Sequence, residues 1–253
     1  MRPNYKNWLP KGIIWSFLGG TVLSLVLCLL LRHIKWLAII FAVITVFFCA
    51  LTLWSILMYR AFSYDGKRRM SAQIIEGTAA RVKLPAGGKC LDVGCGSGAL
   101  AIAVAKRNPK AQVIGIDRWG KEYASFSRAL CEQNAKAEGV SNAAFQQGDA
   151  THLDFPDGTF DAVVSNYVYH NIPGDRQAYL LETLRTLKKG GAFALHDIFS
   201  KSKYGDMQAF VQKLRDMGCQ KVELIDTTNG QFMTPFEAGW MALSGSALLV
   251  GVK

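Results

Sequence analysis

The sequence predicts an α/β domain built on a largely parallel sheet with helices on both faces, preceded by an apolar helical hairpin. Three observations carry this. Strand-like and helix-like segments alternate from Cys90 to the end; a glycine-rich turn, Asp92-Val93-Gly94-Cys95-Gly96-Ser97-Gly98, separates the first such strand from the first such helix; and two long charge-free runs precede them.

The charge-free runs come first in the chain. Gly12 to Leu31 and Trp36 to Tyr59 are each long enough as helices to cross roughly 30 Å of hydrocarbon, and only Arg32-His33-Ile34-Lys35 separates them. A tight antiparallel transmembrane hairpin follows, with Trp8, Trp15, Trp36 and Tyr59 near its expected interfaces and Gly19, Gly20 and Ser24 available for close helix contact. A cleaved signal peptide would not need the second run, and no small-residue cleavage site stands out after the first. Both flanks of a two-span hairpin lie on one side. They carry Arg2, Lys6, Lys11, Arg60, Lys67, Arg68 and Arg69 against two basic residues in the turn, so the positive-inside bias places both termini and the large domain in the cytoplasm. The expected division is a membrane hairpin over 1–59, a linker and leading helix over 60–89, and the α/β domain over 90–253.

Residues 1–59 hold no acid and contribute 5 of the formal charge of +10, so the rest of the chain is only mildly basic. It shows no polybasic tail, and no nucleic-acid partner is expected. Six cysteines form no CxxC or Cys/His ligand spacing, and the four histidines lack clustered partners, so reduced thiols and no metal site are expected.

Beyond a linker, a helix is expected over Arg68–Val82, ended by Leu84-Pro85-Ala86-Gly87-Gly88. Alternating or continuous apolar runs predict strands at Cys90–Val93, Gln112–Ile116, Ala143–Gln147, Asp161–Ser165, Ala192–His196, Lys221–Ile225 and Ala247–Val252. Apolar residues at three-to-four spacing predict helices near Ala99–Arg107, Lys121–Glu138, Asp175–Leu187 and Asp206–Met217.

The glycine turn lets a ligand approach the backbone closely. Gly94, Gly96 and Ala99 also fit the dinucleotide fingerprint, and Asp117 at the end of the next strand suits a ribose in either case. Asp92 discriminates: a carboxylate two residues before the first glycine suits a cofactor with a cationic amino-acid end and repels a pyrophosphate.

From Leu84 to Lys189 these motifs resemble class I S-adenosylmethionine-dependent methyltransferases, particularly their small-molecule and lipid-modifying branch. The resemblance implies a Rossmann-like seven-stranded methyltransferase sheet and S-adenosylmethionine as cofactor. It assigns Asp92, Gly94, Cys95, Gly96 and Gly98 to the methionine part, and Asp117, with Arg118 beside it, to the ribose region. Asp149 and Ala150, in Gly148-Asp149-Ala150, are implied to face adenine. Asn166 closes Phe160-Asp161-Ala162-Val163-Val164-Ser165-Asn166, which resembles the fourth strand, and Leu187-Lys188-Lys189-Gly190-Gly191 resembles the turn before the fifth, with Lys189 where proline is frequent. Trp119 has two readings, stacking on adenine or packing between helix and sheet.

The methyl acceptor belongs at the carboxyl ends of strands four and five. His170 is the candidate general base, since an imidazole is the side chain most often used to take a proton from a phenol, hydroxyl or ammonium, and its alternative is a hydrogen bond within its own loop. Tyr167 and Tyr169 are candidates to shape an acceptor pocket or surround a cation, or else to pack the strand end. His196-Asp197 ends strand five, with His196 the candidate there. Thr227 to Gly245, rich in Phe, Met and Trp, is expected to cover the pocket, touch the bilayer or fold onto the core. The function expected is methyl transfer to a small amphiphilic or lipid-soluble acceptor at the membrane. A soluble metabolite or membrane protein as acceptor, and a non-catalytic cofactor-binding scaffold, are the alternatives.

Overall fold

The computed structural model describes residues 2–120 and 125–253. The chain forms two compact units, one of residues 7–71 and one of residues 1–6 with 72–253. The first six residues therefore belong with the larger unit rather than with the hairpin.

The smaller unit contains α1 (Lys11–Leu30) and α2 (Lys35–Phe62), each within a few residues of the expected span and each long and apolar enough to cross a membrane. Their polarity is inside out relative to a water-soluble helix pair. Ser24, Thr52 and Ser55 are buried, whereas Trp15, Leu23, Val43 and Val46 are exposed. The Thr45 hydroxyl donates to Ser24 Oγ at 3.0 Å, and the Thr21 and Thr52 hydroxyls are 3.3 Å apart. At Gly20 an added Cβ would lie 2.8 Å from the Phe48 ring, so the glycine sets how closely the helices approach.

The helix expected over 68–82 is shorter, α3 (Met70–Ala79). The sheet that follows comprises β1 (Lys89–Val93), β2 (Gln112–Asp117), β3 (Ala143–Gln147), β4 (Phe160–Asn166), β5 (Leu187–Ile198), β6 (Gln220–Asp226) and β7 (Ser246–Val252). Their order is β3-β2-β1-β4-β5-β7-β6, with β7 antiparallel to both neighbours and the five strands from β3 to β5 mutually parallel. This is the seven-stranded Rossmann-like sheet expected from the sequence.

Helices α4 (Ala99–Arg107), α5 (Arg128–Ala137), α6 (Arg176–Arg185), α7 (Lys201–Tyr204), α8 (Met207–Asp216) and α9 (Pro235–Trp240) complete the unit. Helix α4 is alanine-rich and buried from Ala99 to Ala105, which lets it lie close on the sheet. Asp175 and Asp206 cap α6 and α8 by accepting backbone N–H bonds, and α9 begins with a capping box between Thr234 and Glu237 after which Pro235 fits the first turn.

Two expectations change. The turn expected at Leu187–Gly191 lies within β5, whose register against β4 shifts between Phe160 and Ala162; Gly190 at φ +78° absorbs the irregularity and donates to the Lys253 carbonyl. The helix expected from Lys121 begins at Arg128 behind the Ser127 cap, and Lys121–Ala124 lie outside the described residues.

Strand order reverses between β1 and β4, so their carboxyl ends splay into a crevice. The core beneath it is formed by Leu91, Val163, Phe193, Leu195 and Leu249, all buried.

Candidate active site

The glycine turn leaves β1 at this crevice. Gly94, Gly96 and Gly98 all have positive φ, +73°, +55° and +81°, but their side-chain spaces differ. A Cβ at Gly94 would meet Val168 Cγ2 at 2.3 Å, whereas one at Gly96 would find nothing nearer among the described residues than the Phe126 ring at 3.6 Å. Gly94 is thus fixed by packing, and Gly96 keeps a space open for a ligand.

Asp117 closes the turn from β2. One carboxylate oxygen accepts Gly96 N–H at 2.8 Å and the other accepts Trp119 N–H at 2.7 Å. Each oxygen retains a lone pair, the arrangement a pair of ribose hydroxyls would need. Trp119, at φ +44°, donates its indole N–H to the Gly96 carbonyl at 3.0 Å and so braces the turn. Asp149 accepts two bonds from Thr151, from N–H and hydroxyl, both at 2.8 Å on one oxygen. These hold its carboxyl below the ordinary range and leave the second oxygen for a donor such as an exocyclic amine. Ala150 is half-buried beside it and Arg118 is exposed. Cys95 is buried, and burial raises its thiol, so it contributes shape rather than a thiolate.

Asp92 is the least satisfied group in the site. It is 1% exposed and neither oxygen has a hydrogen-bond partner among the described residues; the nearby Ala101 amide favours the anion but does not reach either oxygen in bonding geometry. Burial pushes its carboxyl up to about 8. A buried carboxylate without a donor is costly, and the ammonium of an amino-acid end is the partner that relieves it, whereas a pyrophosphate is not. The residues present therefore fit S-adenosylmethionine.

A pH dependence follows. With its folded pKa above the unfolded value of 3.8, Asp92 is protonated in the free protein at neutral pH, and a cationic ligand must displace that proton. Affinity for S-adenosylhomocysteine is expected to rise toward pH 8, with proton release seen when titration calorimetry is repeated in buffers of different ionisation enthalpy. Asp92→Asn should weaken binding about tenfold, the scale of one charge-assisted bond, and abolish the proton release. Because it also removes a carboxylate whose ionisation opposes folding above the unfolded pKa, it should raise Tm at pH 8.

On the acceptor side, the chain leaves β4 at Asn166 and turns through Tyr167, at φ +55°, into a short 3-10 turn over Tyr169–Asn171. The Asp197 carboxylate, 1% exposed, anchors this turn. One oxygen accepts Tyr169 N–H at 2.9 Å and His170 N–H at 3.3 Å; the other accepts Ile198 N–H at 2.7 Å and lies 2.5 Å from His170 Nδ1. A carboxylate oxygen that already accepts Ile198 N–H favours a donor at Nδ1, so in the neutral ring the tautomer assigned by this contact leaves the lone pair on Nε2. The His170 side chain remains 12% exposed.

The other candidates divide. Tyr167 donates to Ser246 Oγ at 2.8 Å, which itself donates to the Leu243 carbonyl, and its ring packs 4.7 Å from His196 and 5.9 Å from His170. Tyr169 is fully buried, with its hydroxyl 2.6 Å from Thr183 Oγ1. His196 is also fully buried, with Nδ1 2.8 Å from Asn166 Oδ1 and Nε2 3.0 Å from Thr227 Oγ1, and burial lowers its pKa to about 3. It is neutral, and Phe232 covers it at 5.4 Å. The aromatic segment after Thr227 mostly folds onto the core: Phe232, Met233 and Met241 are buried and only Phe236 projects, 79% exposed.

Sequence reasoning did not single out Val168, Thr227 or Ser246, which act through packing and bridging hydrogen bonds that leave no motif. Of the pair His196-Asp197 it named His196 as the candidate, whereas the structure puts Asp197 against His170 and buries His196. Strand alternation sends adjacent side chains to opposite faces, and that was the available signal.

The sequence matches the methyltransferase-domain family over residues 84–239, and the chain belongs to that family. Its sheet and cofactor turn are those of the class I S-adenosylmethionine-dependent methyltransferases. Among similar proteins, a demethylmenaquinone methyltransferase of Geobacillus kaustophilus is 31% identical over 136 residues, covering 53% of this chain and 56% of that protein. A ubiquinone/menaquinone biosynthesis C-methyltransferase of Desulfotalea psychrophila is 32% identical over 164 residues, 65% of this chain and 60% of that one. The chain thus spans somewhat over half the length of these curated relatives. The solved structure of YcgJ from Bacillus subtilis shares the fold with a TM-score of 0.51 at 22% identity, over 72% of this chain and 97% of that one.

Proposed function

We propose that this chain transfers a methyl group from S-adenosylmethionine to a small amphiphilic or lipid-soluble acceptor at the cytoplasmic face of a membrane. The observation that carries the acceptor class is the inverted polarity of the hairpin, with hydroxyls paired inside and Trp15, Leu23, Val43 and Val46 turned outward. Such a pair suits hydrocarbon rather than water. Both ends of the hairpin unit join the α/β unit, so a spanning hairpin keeps the enzyme concentrated where membrane-borne acceptors are. The relatives whose names specify quinone substrates support the same class, and the basic flanks support the cytoplasmic side.

When bound, S-adenosylmethionine supplies an electrophilic methyl on a sulfonium. Asp92 would hold its ammonium, Asp117 its ribose, and Asp149 with Ala150 its adenine, and Gly94 through Gly98 would align the methionine arm. His170 Nε2 takes the proton of an acceptor hydroxyl or phenol as the methyl is transferred, and Asp197 holds the ring in the tautomer that leaves Nε2 basic. Tyr167 walls the acceptor space, while Tyr169 and neutral His196 hold that wall from beneath.

Incubating the full chain and methyl-labelled cofactor with membrane extract, then separating lipid, protein and soluble fractions, tests the reading. Label is expected in the lipid fraction. Label confined to the soluble or protein fraction would replace the acceptor class, and retention of the protein in the supernatant without detergent would remove the anchor.

A further inference from the structure

Two cations stand at the rim of the acceptor crevice with no carboxylate partner among the described residues. Arg176 opens α6 immediately after the β4 turn, and Lys203 lies in α7 immediately after β5, so both elements sit at the carboxyl edge of the sheet. Lys203 Nζ donates to the carbonyl of His170 at 3.2 Å, and Arg176 Nη1 donates to the carbonyl of Lys203 at 3.2 Å. The Lys203 head is thereby tied to the backbone of the residue read here as the base, and the Arg176 head to the backbone of Lys203.

Both residues are half-buried, and among the described residues neither forms an ion pair. The acids nearest in the chain are committed elsewhere: Asp175 caps α6, Asp206 caps α8, and Asp197 already accepts from three backbone amides and lies against His170 Nδ1. In addition, Arg176 Nε is buried without any hydrogen-bond partner. A desolvated guanidinium donor with nothing to donate to among the described residues, on a side chain bonded to the backbone of a lysine whose ammonium keeps two further protons, is an unmet demand for an acceptor oxygen carrying negative charge.

We propose that Arg176 and Lys203 bind an oxyanion, phosphate or carboxylate, borne by the methyl acceptor, and so select acidic amphiphiles and orient them toward His170. This rests on the methyl-transfer reading of the site and adds the chemistry of the acceptor's polar end. Guanidinium presents a planar fork and ammonium a point charge, a combination suited to a group with two or three equivalent oxygens.

The test uses the full chain in phosphatidylcholine nanodiscs with S-adenosylhomocysteine added, titrated with phenyl phosphate, benzoate and neutral benzyl alcohol by ligand-observed NMR against empty nanodiscs. At least one anion should bind about tenfold or more tightly than the alcohol, and the preferred one identifies the oxyanion. Arg176→Gln with Lys203→Gln should erase that preference while leaving benzyl alcohol and S-adenosylhomocysteine within about twofold, and Arg176→Lys, which keeps the charge but loses the planar fork, should retain only part of it. If the double variant loses S-adenosylhomocysteine binding, the single variants carry the comparison. Equal binding of anions and alcohol, or a preference that survives the substitutions, overturns the proposal alone. Failure of the unsubstituted protein to bind S-adenosylhomocysteine overturns the methyl-transfer reading beneath it.

Discussion

Asp197→Asn is expected to lower kcat for methylation of a hydroxyl or phenol acceptor by about a hundredfold or more, close to the effect of His170→Ala. The carboxylate lies against His170 Nδ1 at 2.5 Å and accepts from three backbone amides. An asparagine that keeps its oxygen toward the Tyr169 and His170 amides must turn its amide nitrogen toward Nδ1 and the Ile198 N–H. That nitrogen donates, so Nδ1 becomes the acceptor, Nε2 takes the proton and the base is lost; the Ile198 N–H loses its acceptor as well, which should lower Tm modestly. Loss of stability alone would not change the pH profile; loss of the base should remove its acidic limb. Titration of S-adenosylhomocysteine should be unaffected, since Asp197 touches the acceptor turn and not the glycine turn. Unchanged kcat in either variant would leave His170 no role as base.

This dyad also marks how far sequence could be read. Strand and helix alternation made the sheet legible because each element buries a face with its own period, and the strands at Gln112 and Ala143 began where expected. Asp92, the glycines and Asp117 were legible because close approach and charge restrict which residues can stand there. Tyr169 and His196 were not distinguishable from site residues, because burial decides their roles: a tyrosine one residue before His170 lies in the core, while His170 remains accessible. The turn expected before β5 was hidden for another reason. Lys188-Lys189-Gly190-Gly191 has turn chemistry, yet Gly190 and Gly191 exchange backbone hydrogen bonds with Lys253 at the chain's far end, a partner that local sequence cannot disclose.

The glycine turn yields the second large effect, because two of its residues that look alike in sequence should fail differently. Gly94→Ala places a Cβ 2.3 Å from Val168 Cγ2 and 2.7 Å from Cγ1 at φ +73°. Overpacking and a left-handed backbone together cost about 2–5 kcal/mol, and the displaced residue belongs to the turn that carries His170. Both S-adenosylhomocysteine binding and turnover should fall to background, with a lower Tm. Adding Val168→Ala removes the two methyl contacts and should restore part of the stability, but the backbone cost remains. Among the described residues Gly96→Ala meets only the Phe126 ring at 3.6 Å, an ordinary contact, so its folding cost is that of the left-handed backbone, about 1–2 kcal/mol. Its Cβ nevertheless enters the space read here as the cofactor's, and S-adenosylhomocysteine affinity should drop by about a hundredfold while the fold persists. Calorimetry for affinity and thermal unfolding for stability, run on both variants, separate the two outcomes. If Gly96→Ala binds as tightly as the parent, the open space beside Gly96 is not where the methionine arm lies.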